Sequence, residues 1–201
     1  DDTIAVGANN EDSEQSTITN GSAASSNDSS SKSGAVYVYK RNGTDWNQQA
    51  YIKAANNDDQ DKFGISVSVY KDTLAVGAYQ EDSNNTTITN GTTASTNDSE
   101  SQSGAVYVYK RNGNNWSQQA YIKAANSDRS DFFGINLSLH EDTLVVGATE
   151  EDSNQSTITN GTTAETNNNL SKSGAVYVYH RTGNNWSQQA YIKAVNRGNN
   201  D

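Results

Sequence analysis

The stretch Asp72-Thr73-Leu74-Ala75-Val76-Gly77-Ala78 decides the fold, because it occurs three times at a constant spacing. Closely similar stretches occupy residues 2–8 and 142–148, so the period is 70 residues without insertion or deletion. Self-similarity at a fixed period of this kind identifies a tandem repeat. The copies are so alike that duplication must be recent. A residue found in all three copies therefore indicates architecture and does not by itself indicate function.

Alternation of apolar and polar residues predicts four short strands in each copy. In the middle copy the predicted strands cover residues 63–70, 73–78, 105–109 and 116–124. The first two are separated by only Tyr70, Lys71 and Asp72, which suits a tight hairpin. The last two are joined through Asn112-Gly113, a pair that tolerates positive φ in a hairpin turn. Each copy is therefore predicted to be an antiparallel meander.

Such a meander has apolar residues on both faces and must bury them against neighbouring copies. Radial stacking into a propeller meets this requirement, and a linear solenoid is the alternative. We predict an all-β fold, a propeller-type array of three 70-residue, four-stranded antiparallel blades. The predicted blades cover residues 1–62, 63–132 and 133–201 of one repeat domain. The first blade lacks its first strand, because the chain has no Phe-Gly segment before residue 2.

Composition and charge narrow the possible partners. The 201 residues carry a formal net charge of −10, which argues against nucleic acid, since phosphate backbones select faces rich in Lys and Arg. The chain has no cysteine, so disulfides, thiolate metal sites and thiol nucleophiles are excluded. No apolar run is long enough to span a bilayer, so membrane insertion is not expected. Any export signal would lie outside this segment.

The order of short motifs points to a family. Phe63-Gly64 is followed by Val76-Gly77-Ala78 and then by residues 104–109, Gly-Ala-Val-Tyr-Val-Tyr. This order resembles FG-GAP repeats, the blades of the integrin alpha-subunit propeller. It is most similar to the bacterial subfamily that carries a Trp-x-Gln-Gln strand, here residues 116–119. The resemblance covers essentially the whole chain and implies a non-enzymatic repeat module of extracellular or cell-surface proteins.

One departure from the family pattern concerns calcium. In integrin-like blades a calcium loop with several Asp residues lies between the first two strands. Here that link is only Tyr70-Lys71-Asp72, or His140-Glu141-Asp142 in the third copy. The family's calcium site is therefore not expected at this position.

The long segments between the second and third strands, residues 9–33, 79–103 and 149–173, are the places with room for a site. Each begins with an acidic pair and continues to Thr-Ile-Thr-Asn-Gly, read as a small turn element. Calcium prefers carboxylate, amide and carbonyl oxygens, which are abundant here. The alternative is a solvated polar loop. The candidate metal ligands are Glu11, Asp12, Glu81, Asp82, Glu151 and Asp152.

A second acidic cluster precedes each Phe-Gly segment, with Asp58, Asp59 and Asp61 in one copy and Asp128 and Asp131 in the next. We interpret it as the lead-in to a strand rather than as a metal site.

No arrangement of residues predicts catalysis. The two histidines, His140 and His180, occupy different repeat positions, and neither is accompanied by a base and nucleophile set. Tyr107, Tyr109 and Trp116 favour packing between blades, with stacking on sugars as the alternative. On the packing interpretation the three tryptophans, Trp46, Trp116 and Trp186, lie in equivalent environments.

Function is predicted by resemblance alone, because one fold hosts many functions. The leading prediction is an extracellular structural or adhesive repeat that displays the long loops. The alternatives are a propeller that binds a glycan or protein ligand, and a scaffold stabilised by calcium. Three blades are fewer than those of known closed propellers. We therefore predict either further copies of the repeat or self-association, with a self-capped unit as the alternative.

Overall fold

All regular structure in the described part of the chain is β-strand. The computed structural model describes residues 2–200 and contains three antiparallel sheets, each built from the strands of one copy of the repeat. The strands are β1 (Thr3–Ala8), β2 (Thr19–Asn20), β3 (Ala35–Asn42), β4 (Asp45–Ile52), β5 (Ser66–Tyr70), β6 (Thr73–Ala78), β7 (Ile88–Asn90), β8 (Ala105–Asn112), β9 (Asn115–Ile122), β10 (Phe133–His140), β11 (Thr143–Ala148), β12 (Ile158–Asn160), β13 (Ala175–Thr182) and β14 (Asn185–Ile192).

The second and third sheets have five strands, so the prediction of four strands per copy is wrong. Their orders are β5-β6-β8-β9-β7 and β10-β11-β13-β14-β12. The added strand is the Ile-Thr-Asn segment of the long loop, which was interpreted as a turn element. Its backbone pairs with the outer edge of the last hairpin strand, with Ile88 opposite Ile122 and Asn90 opposite Ala120. An edge strand of this kind covers backbone groups that would otherwise be unpaired.

The first sheet has the order β1-β3-β4-β2. Within residues 2–200 it contains no counterpart of β5, in agreement with the prediction that the first strand is missing. The blade boundaries after residues 62 and 132 stay a prediction, as does closure into a propeller.

The predicted first strand is divided in the second sheet. Regular pairing begins at Ser66, whereas Phe63 forms an isolated parallel bridge with Gly34 of the first sheet. Gly64 has a φ of 88°, in the left-handed region that glycine tolerates best. The Phe-Gly segment therefore connects two sheets before its strand joins its own sheet.

The core lies between adjacent sheets. Phe63, Leu74 and Tyr107 of the second copy form one buried cluster with Val36 and Ile52 of the first. An equivalent cluster joins the second and third sheets around Phe133, Leu144 and Tyr177. Each sheet therefore relies on its neighbour for burial, as the apolar residues on both faces of the predicted strands require.

Candidate functional site

Each long loop carries an acidic pair that begins three residues after the end of the second strand of the repeat. In the middle copy Glu81 is only 1% exposed, although charged residues are almost never fully buried unless they are paired. Its Oε2 accepts a hydrogen bond from Lys123 Nζ at 2.8 Å. Its Oε1 accepts hydrogen bonds from the Tyr121 hydroxyl at 2.7 Å and from Asn56 Nδ2 at 3.0 Å. The carboxylate is thus neutralised by a buried ammonium group.

The same arrangement is present in the other two copies. Glu11 accepts from the Tyr51 hydroxyl at 2.6 Å and from Lys53 Nζ at 2.8 Å. Glu151 accepts from Tyr191 at 2.9 Å and from Lys193 at 2.6 Å. The Glu11 side chain is 15% exposed, against 2% for Glu81, because within residues 2–200 no sheet precedes the first copy to provide a partner like Asn56.

The lysine also joins the two ends of the loop. Lys123 Nζ donates to Ser103 Oγ at 2.7 Å, and Ser103 Oγ donates in turn to the carbonyl oxygen of Ser83 at 2.8 Å. Burial lowers the pKa of Lys123, and the Glu81 carboxylate opposes that shift. The buried pair therefore fixes the point where the loop leaves β6 and the point where it returns to β8.

The aspartate of each acidic pair has a separate role. Asp82 Oδ1 accepts a hydrogen bond from the backbone N–H of Gln102 at 2.6 Å, and Gln102 has a φ of 60°. A non-glycine residue is uncommon in this region of backbone space and requires support from its surroundings. Asp12 and Asp152 support Lys32 and Lys172 in the same way. The aspartate therefore holds a tight turn at the far end of the loop.

The six predicted metal ligands lie at the starts of the loops, as the sequence required, but the two carboxylates of each acidic pair face different partners. The glutamate faces a lysine and the aspartate faces a backbone N–H. Within residues 2–200 no group of three or more His, Asp or Glu side chains is arranged to hold a metal ion. The calcium hypothesis was not tested by these contacts and stays a prediction.

The second acidic cluster contains a buried carboxyl group in each of two copies. Asp61 and Asp131 are each 3% exposed and accept the backbone N–H of Asp58 and Asp128. Burial, with Glu151 nearby, raises the pKa of Asp131 to about 8, although the Asp128 N–H opposes the shift. Burial and Glu81 likewise raise the pKa of Asp61 well above its usual range. These aspartates shape the lead-in to the Phe-Gly segment.

Sequence reasoning did not identify a clamp between adjacent sheets. A β-bulge between Val108 and Tyr109 leaves Gln119 without a partner opposite it, and a bulge changes the direction of a side chain. Gln119 Oε1 then accepts from Trp186 Nε1 at 2.9 Å in the next sheet and from Arg181 at 3.3 Å. The Trp-x-Gln-Gln spacing was the available signal, but the bulge that directs the second glutamine across the junction was not predictable from it.

The preceding clamp has the same parts. Trp116 Nε1 donates to Gln49 at 3.0 Å, and Arg111 donates to Thr3 at 2.9 Å while its guanidinium lies 5.3 Å from the Trp116 ring centre. Asn20, from the short edge strand, accepts the Trp116 backbone N–H at 2.7 Å.

The tryptophans are not equivalent, so that prediction is wrong for the first copy. Trp116 and Trp186 are each 2% exposed, whereas Trp46 is 44% exposed. Within the described chain no sheet precedes the first, so Trp46 has no glutamine acceptor there and lies beneath the Arg41 guanidinium.

Two polar clefts open beside these clamps. The first, of about 410 Å³, lies between the first and second sheets, and its equivalent between the second and third is about 420 Å³. Both are lined mainly by amide side chains, including Asn47, Gln49 and Asn115 in the first cleft. The Asn and Gln side chains offer both donors and acceptors at the same position of each junction.

The fold and its loops define a class of protein: a tandem-repeat, all-β protein whose sheets pack face to face through Phe-Gly segments. The FG-GAP repeat family matches residues 46–109 and again residues 116–179, which together make up more than half of the chain. The chain belongs to the FG-GAP repeat family. No curated protein matches it. Within residues 2–200 the structure has no helix of the length and apolarity needed to cross a membrane.

Proposed function

We propose that this chain is a non-enzymatic, extracellular adhesive module that presents its three long polar loops to a partner. Membership of the FG-GAP family supports the general class, since these repeats form adhesive and ligand-binding modules. The proposed extracellular setting is supported by the same family membership and by a cysteine-free, acidic composition compatible with export.

The observation that carries the proposal is the repeated anchoring of the loops. Each loop is fastened at both ends by a glutamate and lysine pair, which is buried in the second and third copies and partly exposed in the first, while most of the central side chains of the loop are exposed. In the middle copy the exposed part includes Thr92, Thr93 and residues 96–99. An ordered backbone that presents hydroxyl and amide groups loses less conformational entropy on binding than a free loop would. Three copies of one surface also favour multivalent attachment.

The proposal is tested with loop variants that keep the anchors. Residues 92–93 and 98–99, with their equivalents at 22–23, 28–29 and 162–163, are replaced by Gly-Ser, and Asn168 is kept because its Nδ2 donates to Asp128 Oδ2. Asn97 is retained, because its Oδ1 accepts the backbone N–H of Asn84. Beads coated with the wild-type chain should adhere to a glycan array or to a cell surface, and the loop variant should lose adhesion with an unchanged melting temperature. Undiminished adhesion of the variant contradicts the proposal.

A second candidate function is favoured by the amide-lined clefts. Two similar clefts at the junctions between sheets would suit a polar polymer such as a glycan, whose hydroxyl groups match the lining amides. Asn115→Ala together with Asn185→Ala removes one lining amide from each cleft and leaves the loops intact. Loss of glycan binding in this variant, measured by calorimetry, supports the clefts as the binding surface. Loss of glycan binding in the loop variant alone supports the loops as the binding surface.

A further inference from the structure

Two glycines of each sheet receive the Phe-Gly segment of the sheet that follows. A Cβ atom on Gly7 would collide with the carbonyl oxygen of Gly64, and one on Gly34 would collide with that of Phe63. At the next junction a Cβ atom on Gly77 would collide with the carbonyl oxygen of Gly134, and one on Gly104 would collide with that of Phe133. These glycines form a cradle, in which the Phe-Gly backbone lies in the space that a Cβ atom of any other residue would occupy.

Backbone hydrogen bonds set the register of the seated strand. Lys62 and Phe63 donate their N–H groups to the carbonyl oxygens of Lys32 and Ser33 at 3.1 and 3.0 Å. Phe132 and Phe133 donate in the same way to Gln102 and Ser103, both at 3.2 Å. Each seated phenylalanine is fully buried. The junction is therefore a short strand addition with one aromatic anchor, a recognised mode of peptide binding.

The third sheet carries the same cradle with nothing seated in it among the described residues. A Cβ on Gly147 would meet only Asn136, at 3.8 Å, and one on Gly174 would come no closer than 3.4 Å to the Thr149 carbonyl oxygen. Val176 is 36% exposed, whereas its counterparts Val36 and Val106 are fully buried. The surface forms a groove of about 710 Å³.

The chain itself begins the approach to this groove. Asn200 donates its backbone N–H to the Ser171 carbonyl oxygen at 3.0 Å, the counterpart of the Gln60 bond to Ser31 and the Ser130 bond to Ser101. At the two internal junctions the Phe-Gly strand is held by the carbonyl groups of the two residues that come next in the chain. These are Lys32 and Ser33 after Ser31, and Gln102 and Ser103 after Ser101. Their counterparts here are the carbonyl groups of Lys172 and Ser173, beside the open groove.

We propose that the groove on the third sheet is an acceptor site for the Phe-Gly strand of another FG-GAP repeat. The strand binds with its phenylalanine against Ala175 and Ile192 and its glycine over Gly147. The two internal junctions define this occupant, because the same glycines, carbonyl groups and apolar residues already hold a Phe-Gly strand twice within the chain.

The test uses the complete chain and a labelled peptide with the sequence of residues 62–70. Fluorescence anisotropy should show saturable binding. A peptide with the change Phe63→Ala should bind at least about tenfold more weakly, since a buried aromatic anchor carries much of the binding energy at such sites. Absence of saturable binding, or equal binding of both peptides, would overturn the proposal.

A variant of the acceptor locates the binding site. Gly147 lies in β11 without a positive φ, and an added methyl group meets only Asn136, so Gly147→Ala should leave the melting temperature unchanged. The methyl group occupies the place of the peptide's glycine carbonyl, so the peptide should bind at least about tenfold more weakly. Thr182→Ala, on the exposed hairpin end of the same sheet, is the matched control and should bind normally. Normal binding to Gly147→Ala would exclude this groove.

Discussion

At the scale of single residues, the tryptophans show how position in the array changes the energetic weight of one side chain. Trp116 is buried against the first sheet and Trp46 is 44% exposed, although both occupy the same repeat position. We expect Trp116→Ala to lower the free energy of unfolding by about 3–5 kcal/mol, as for other large buried aromatics. Trp46→Ala should change it by no more than about 1 kcal/mol, because most exposed substitutions have small effects. Urea unfolding measures both, and equal losses would contradict the structural difference.

The buried glutamate and lysine pair leads to a second expectation. Lys123→Met leaves Glu81 buried without its cation, so the free energy of unfolding should fall by about 3–5 kcal/mol. The control is Lys172→Met, which breaks the exposed pair with Glu150 and should cost at most about 1 kcal/mol. Adding Glu81→Gln to Lys123→Met should recover part of the loss, because the unpaired charge is removed. A double variant as unstable as Lys123→Met would show that charge is not the cause.

Asp131 makes stability depend on pH in a direction unusual for a carboxyl group. Its folded-state pKa is raised to about 8 from an ordinary value of 3.8, because burial disfavours the charged form. Its contribution to stability is therefore complete below about pH 4 and is lost as the pH rises toward about 8. Asp131→Asn imitates the protonated side chain, so it should melt higher than wild type at pH 8 and equally at pH 4. Exposed Asp45→Asn is the control, and a pH-independent difference would contradict this interpretation.

At the scale of elements, the long loops are the segments whose order calcium would affect if it bound to the protein. If calcium orders them, EDTA should lower the melting temperature and added calcium should restore it. The Glu81 and Lys123 anchor and its two counterparts already join both ends of each loop through protein groups alone. We therefore expect the melting curve to be unchanged by EDTA. A reversible decrease would assign a metal to the loops and would support Glu11, Asp12 and their counterparts as its ligands.

At the scale of the whole molecule, the two outer sheets each leave apolar surface exposed. Ile4, Val6 and Trp46 lie on the first sheet and are 44%, 47% and 44% exposed, and Val176 lies on the third. Exposed faces of this kind promote association. We expect light scattering to show a mass above 21.6 kDa that rises with concentration. Ile4→Lys with Val6→Lys should restore the monomer mass, and a wild-type monomer at every concentration would contradict the prediction.

The sequence by itself determined the 70-residue period, the all-β class and the family, because strand alternation and turn residues are local properties of the chain. It also placed the acidic pairs at the starts of the loops. Only the tertiary structure decided that Glu81 faces Lys123, that residues 88–90 form a fifth strand, and that Trp46 is exposed while Trp116 is buried. Each of these depends on a contact between residues about 30 or more positions apart, or on the absence of a neighbouring sheet. Three nearly identical copies cannot express such differences in their sequence, because the differences arise from what packs against each copy.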